Sequence, residues 1–482
     1  MGDCMAEMGR RIFPPAALRF FAGVLAVLLG TAFCAELWLQ RQSGTTLMNR
    51  SWAQEDTRIK QNNLRKLGGL DETFPLMATP GGIMPMTGGK THRIVVIADS
   101  FSWGDGLANI NDVWWRQIER ELERRGYQDV EVLALGWNGA QTREELAWLR
   151  DGRFADLGAE AIVLGYVVND PDMGLLPQNY KVYRMFFVDD VFRWWLPELV
   201  EQFQARYMRK KRECLARQGL EYGPEEWLKL LLEGENFALW EKNVAELAGQ
   251  LAGMGLPAVM VSLPVVPDPA YYEPLYAKPM RVIAESGIPL LNLLDDYVRD
   301  MGKGAADTPF RWTANPANGH PGALAAHYYA QKVADWLEQN APQALGAKSA
   351  PRRHAPRIND WYPWKSSARL DAGTLRLELP AFREMGVLPV GKPHVLVSFE
   401  RPVPLRRLTV TSPDAGANEV WVTATDSRGA DDGTLLPCRR EGESFLPPEL
   451  PRGSLINTLR IVPAAEGRTM TATLDFAGSV AP

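Results

Sequence analysis

Histidine and cysteine are scarce in this chain: 482 residues hold five histidines and four cysteines. The cysteines, Cys4, Cys34, Cys214 and Cys438, include no close-spaced pair. That excludes a disulfide framework and a thiolate-rich metal site. No CxxC, HExxH, P-loop or GxGxxG following a strand is present, so neither a metal nor another cofactor is expected. The formal charge is only −5, and Lys and Arg are dispersed apart from 206–212 and 352–353. Nothing in that distribution suggests nucleic-acid binding. There is no internal repeat and no low-complexity tract. What is present is the composition of a folded protein, 46% hydrophobic and 23% charged. The length predicts two or three units.

Only one long apolar run occurs. Residues 20–35 carry no charge, with Arg10, Arg11 and Arg19 before them and Glu36 after. With flanking residues the segment 16–39 approaches the roughly 20 residues that span a bilayer. It is expected to be a transmembrane signal anchor, with 1–15 cytoplasmic because positive charges stay inside. The body would then face the periplasm or the exterior. Secretion after signal cleavage is the alternative, although no small-x-small cleavage site follows the run. With Cys4 inside and Cys34 in the membrane, Cys214 and Cys438 are left as the conceivable disulfide pair.

Residues 40–92 read as a stalk, since the Gly, Pro, Thr and Met of 78–89 suit no regular element. From 93 to 340 strand and helix patterns alternate. Strands are expected at 94–98, 130–135, 161–166, 258–263 and 289–292, and helices at 113–125, 142–150, 236–254, 274–286 and 321–339. Such alternation means α/β architecture, a parallel sheet between two helical layers. An excursion at 171–235, rich in aromatic residues such as Trp194 and Trp195, reads as a mostly helical insertion: a lid, a polymer platform, a membrane-facing flap or added packing. A Pro-rich linker covers 341–367. Beyond it, short alternating strands at 374–379, 394–399, 408–412, 419–425, 455–462 and 469–476 predict a β-sandwich over 368–482.

Residues 94–106, Ile-Val-Val-Ile-Ala-Asp-Ser-Phe-Ser-Trp-Gly-Asp-Gly, organise the rest. The β-branched run is a buried parallel strand, and Ser100 stands at its carboxyl end, where open α/β sheets bind ligands. A serine needs a base and oxyanion donors to act as a nucleophile. His92 precedes the first strand, His354 lies in the linker and His394 in the C-terminal unit. His327 suits a packed helix position. His320, on the loop 318–322 before the last helix, is the best base by elimination. Gly139, after the second strand, can bring an unobstructed amide to a substrate. Asn169, after the third, can offer a side-chain amide. The plain readings are a helix cap for Asp99-Ser100, a turn glycine for Gly139 and an Asx turn for Asn169.

Four polar sites at four strand ends, in this order, resemble the SGNH branch of the GDSL-type hydrolases. The segments 98–102, 135–142, 164–170 and 318–322 look like its four blocks, and the resemblance covers roughly 93–340. It implies a flavodoxin-like three-layer sandwich, with Ser100 as nucleophile and His320 as base. It also implies an oxyanion hole from Gly139, Asn169 and the Ser100 amide. Two positions depart from the pattern. Ala98 replaces a glycine, and Asn318 stands where the family carries an aspartate before its histidine. Asn318 can orient an imidazole but cannot stabilise imidazolium by charge. A Ser-His dyad, another acid such as Asp307, or weakened activity are the alternatives.

The function so implied is a membrane-anchored acyl-ester hydrolase or O-acyltransferase working through an acyl-enzyme. An acetylated polysaccharide or other carbohydrate ester is the expected substrate, with the β-sandwich as a possible carbohydrate-binding module. A polysaccharide-binding or assembly protein with a degenerate catalytic unit is one alternative. A lipid esterase is another.

Overall fold

The computed structural model describes residues 15–43, 73–77, 90–107, 109–171, 199, 231–265, 269–301, 312–315, 318–352, 356–358, 368–378, 395–411, 417–426, 429–431, 434–464 and 469–477. The chain divides into two units, 1–54 with 181–222, and 55–180 with 223–482.

The described part of the first unit is mainly one helix, α1, Pro15–Ser43. The large apolar side chains that stand exposed among the described residues, Val24, Leu25, Val27, Leu28, Leu29, Phe33, Leu37 and Trp38, all lie on it. Among the described residues, however, no helix is long and apolar enough to cross a membrane. The uncharged stretch between Arg19 and Glu36 is shorter than the roughly 20 residues a bilayer core requires. The expected span over 16–39 is therefore corrected to a helix with an exposed apolar surface.

The second unit is built outward from β1, His92–Ala98, whose last five side chains are fully buried. A one-turn helix α2, Ser100–Trp103, and then α3, Trp114–Arg124, lead to β2, Val130–Gly136. Helices α4, Thr142–Arg150, and α5, Gly152–Asp156, lead to β3, Ala161–Tyr166. Then follow α6, Gly234–Met254, β4, Ala258–Ser262, α7, Pro269–Glu285, β5, Leu290–Asn292, and α8, Leu293–Met301. A short hairpin of β6, Thr313–Asn315, and β7, Asn318–Pro321, precedes α9, Ala323–Asn340.

The five long-range strands form one parallel sheet in the order β2-β1-β3-β4-β5. This is the flavodoxin-like order, and its direction reverses at β1. Right-handed crossovers put α3 on one face and α4, α6 and α7 on the other. The packing agrees, since α3 lies against α9 while α6 touches both α4 and α7. Ala98 pairs with Gly136, and Ile97 pairs with Leu164. The segments leaving β1, β2 and β3 therefore share one rim.

The same unit continues into two antiparallel sheets around a second apolar core. One contains β10, Val395–Val403, β16, Ile456–Pro463, β12, Ala417–Ala424, and β13, Leu436–Pro437. The other has six strands: β14, Arg439–Glu441, β15, Ser444–Leu446, β11, Leu405–Val410, β17, Thr469–Phe476, β9, Thr374–Glu378, and β8, Ala368–Asp371. The short β8, β13, β14 and β15 are not evident from alternation, because two to four residues give too little pattern.

Two further expectations change. Helix α7 begins before Pro274 and contains both Pro274 and Pro279. Packing against α6 and α8 outweighs the local cost of the prolines. Part of the predicted linker is tied down: the Ser349 amide donates to the Gly126 carbonyl at 2.8 Å and the Arg352 amide to Gln128 at 3.0 Å. Most of the predicted insertion over 171–235, including Trp194 and Trp195, lies outside the described residues.

Candidate active site

Ser100 opens α2, directly beyond β1. The carboxylate of Asp99 accepts the Phe101 amide at 2.9 Å and so caps this single turn. Helix α2 ends at Gly104, whose φ of 75° is left-handed. A Cβ at Gly104 would lie 2.6 Å from Ile110 Cδ1, the tip of a side chain that can shift, so it is the left-handed conformation that favours glycine there. The chain then doubles back: the amides of Gly104 and Asp105 both donate to the Ser100 carbonyl, at 3.1 and 3.4 Å. Ser102 locks the turn, accepting Trp114 Nε1 at its hydroxyl and Trp115 Nε1 at its carbonyl.

His320 arrives on β7. The reading of 318–322 as an open loop is corrected here, because Asn318 and Pro321 pair with Asn315 and Thr313 of β6. The Gly322 amide donates to the Trp312 carbonyl at 2.8 Å, and a methyl at Gly322 would overlap the Thr313 carbonyl. The hairpin can therefore press against the start of α9 only with glycine at that position. It delivers His320 Nε2 to 2.9 Å from Ser100 Oγ. The edge-on ring of Phe101, 5.4 Å away, supports the imidazole.

Asp105 Oδ2 lies 3.7 Å from His320 Nδ1. That is too long for a good hydrogen bond but close enough for charge to stabilise an imidazolium. Asp105 is almost fully buried. The sequence reasoning missed it by looking for an acid beside the histidine in sequence. The available signal was Gly104-Asp105-Gly106: two glycines with positive φ bracket the aspartate and fold it back beside the serine. Asn318 occupies β7 with its side chain outside the described residues, and Asp307 also lies outside them. Asp105, which the one-turn helix brings to the second imidazole nitrogen, is an acid facing His320 among the described residues.

On the other side, Asn169 Nδ2 donates to Asp99 Oδ2 at 3.3 Å, and Ser100 Oγ is 3.1 Å from the same oxygen. Burial pushes the Asp99 carboxyl up, opposed by the Phe101 amide, the nearby His320 and the Asn169 amide. Behind it, burial pushes Glu145 and Asp170 well up, and Asp99 adds to both shifts. Gly139 lies past β2 in a turn closed by Ala140 donating to Trp137 at 3.0 Å. It is exposed, with φ 83° and nothing within 4 Å of a would-be Cβ. The second and third segments are tied together, since the Thr142 amide donates to the Asp170 carbonyl at 3.4 Å.

The other described histidines are occupied elsewhere. His92 meets Glu160 at 2.9 Å, and the buried His327 meets Gln331 at 3.1 Å. Among the described residues no group of three or more His, Cys, Asp or Glu could hold a metal ion. Cys34 and Cys438 are free thiols.

No family model and no curated protein matches this sequence. The chain is similar to solved lipase, acylhydrolase and esterase structures. A lipase/acylhydrolase from Enterococcus faecalis aligns at 12% identity over 52% of this chain and 96% of its own, with a TM-score of 0.32. An acetyl xylan esterase aligns at 12% identity over 51% and 99%, also at 0.32. A two-domain esterase active on acetylated mannans aligns at 9% identity over 81% and 93%, at 0.30. Likeness at this level carries no argument about chemistry, which rests on the distances given above.

Proposed function

We propose that this protein is an SGNH-type serine hydrolase of acyl esters, with residues 93–340 as its catalytic unit and 368–482 as an appended β-sandwich. The observation that carries the reading is the 2.9 Å approach of Ser100 Oγ to His320 Nε2. Ser100 Oγ attacks the ester carbonyl while its proton passes to His320 Nε2, and Asp105 stabilises the imidazolium. The developing oxyanion is received by amides at the rim, from Ser100, Gly139 and Asn169. As the tetrahedral intermediate collapses, the leaving alkoxide takes the proton from Nε2 and an acyl-enzyme remains. Water, deprotonated by the same imidazole, releases the acid and restores Ser100. A sugar hydroxyl in place of that water would make the reaction a transfer.

A carbohydrate ester is the substrate we favour. Trp137, half-buried two residues before Gly139 and packed edge-on against Trp103 at 5.3 Å, is the aromatic residue we assign to stacking on a pyranose ring. Delivery of the body across a membrane is proposed from Arg10, Arg11 and the apolar surface of α1. Proteolysis by protease added to spheroplasts, whose inner membrane is intact, would support that location, and full protection there would remove it.

The test of the mechanism is p-nitrophenyl acetate hydrolysis with fluorophosphonate labelling. The parent should turn over the ester and be labelled at Ser100, and Ser100→Ala should do neither. Turnover by Ser100→Ala at the parent rate would refute the reading. Acetylated oligosaccharides against long-chain lipids as substrates would separate the carbohydrate assignment from a lipid esterase.

A further inference from the structure

The β-sandwich reaches the catalytic unit at a segment only four residues from Asp105. Residues Ile110–Asp112 form a 3-10 turn capped by Asn109, whose Oδ1 accepts the Asn111 amide. Asn109 Nδ2 donates to Asn457 Oδ1 at 3.0 Å and to the Phe399 carbonyl at 3.3 Å. Asn457 Nδ2 in turn donates to both carboxyl oxygens of Asp112, at 3.1 and 2.9 Å, and to Asp431 Oδ2 at 2.8 Å. Thr423 Oγ1 donates to the same Asp431 oxygen at 2.6 Å. Arg120 closes the rim, with Nη2 donating to the Glu400 carbonyl at 2.6 Å. Asn457 is fully buried, and Asn109, Asp112 and Asp431 nearly so.

Such a joint has little freedom. A buried amide or carboxyl that loses its partner bears its full desolvation cost, so the satisfied network selects one arrangement. That arrangement passes directly to the site. Ile110, fixed between Asn109 and Asp112, packs against Gly104 so closely that a methyl there would collide with it. Gly104 is the residue that turns the chain so that Asp105 returns beside Ser100 and faces His320.

We propose that Asn457, on the β-sandwich, is a positioning residue for Asp105: it holds the 109–112 segment and, through Ile110 against Gly104, sets the carboxylate against His320. The sandwich thereby completes the catalytic unit as a buttress. This inference rests on the hydrolase reading above, with Asp105 as the acid.

The test is a cycle in the full-length chain: parent, Asn457→Ala, Asp105→Asn and the double variant, with p-nitrophenyl acetate kinetics and thermal melts. Displacement of a catalytic group from a distance is costly, so Asn457→Ala should lower kcat by about tenfold with KM within about twofold. In the Asp105→Asn background the same substitution should change kcat by less than about twofold, because the group it positions is already disabled. The melting temperature should fall equally in both backgrounds. A loss of kcat by the same factor in both, or a lowered melting temperature with unchanged kcat, would overturn the proposal. If Asn457→Ala does not fold, Ile110→Ala breaks the same chain of contacts at its other end and is read against the same criteria. A parent that neither turns over ester nor takes the fluorophosphonate label refutes the hydrolase reading instead, and so is told apart.

Discussion

The two sides of Ser100 are built differently. Toward the imidazole, the groups around a half-buried His320 are buried and held: Ser100 is 6% exposed and Asp105 5%, the one-turn helix is locked by two indoles, and Phe101 braces the ring. Toward the expected oxyanion donors the rim is open, with Gly139 exposed and no neighbour within reach of a side chain there. The difference suits the chemistry. Proton transfer needs fixed heavy-atom distances before substrate arrives, whereas the carbonyl must enter from outside.

The comparison breaks most completely with Ser100→Ala, which should lower ester turnover at least about 10,000-fold without changing the fold. Circular dichroism with the esterase assay checks both parts. Asp105→Asn keeps size and removes charge. It should lower kcat by about 100-fold or more, because the imidazolium loses its stabiliser. Asn318→Ala, assayed alongside, should change kcat by less than about threefold. The reverse ranking would give the orienting role to Asn318 instead of Asp105.

On the open side, Asn169→Ala should cost about 100-fold in kcat with little change in KM, the usual effect of removing one oxyanion donor. An unchanged rate would leave Asn169 as a tether for Asp99 and nothing more.

The smallest effect concerns the carboxyls behind the nucleophile. Burial, then Asp99, raises the Glu145 carboxyl well above 4.5. An acid with a raised folded-state pKa binds more protons folded than unfolded. Its contribution is therefore full below the unfolded value and is lost as pH rises through the folded one. Glu145→Gln should accordingly flatten the fall in melting temperature as the pH rises above the ordinary carboxyl range. Melts of equal slope for parent and variant would contradict this.

Much of this was legible in the residues themselves. The apolar run over 94–98 could only be a strand covered on both faces, and the alternation through 340 could only give a parallel sheet. A strand order reversing at β1 then makes Asp99-Ser100 a rim position. By contrast, the His320 hairpin was hidden, because three- and four-residue strands have no readable period. The aspartate at 105 was hidden for a related reason: its approach to His320 depends on a single helical turn and two left-handed glycines.

By itself, then, the amino-acid order determined which segments are strands, which strand ends carry polar groups, and which histidine was available, because periodicity and scarcity are local properties. Only the tertiary structure decided which carboxylate faces the imidazole and how the β-sandwich grips the 109–112 segment. Those depend on distances between residues 215 positions apart in one case and nearly 350 in the other, and through-space distance is fixed by packing, which no local pattern encodes.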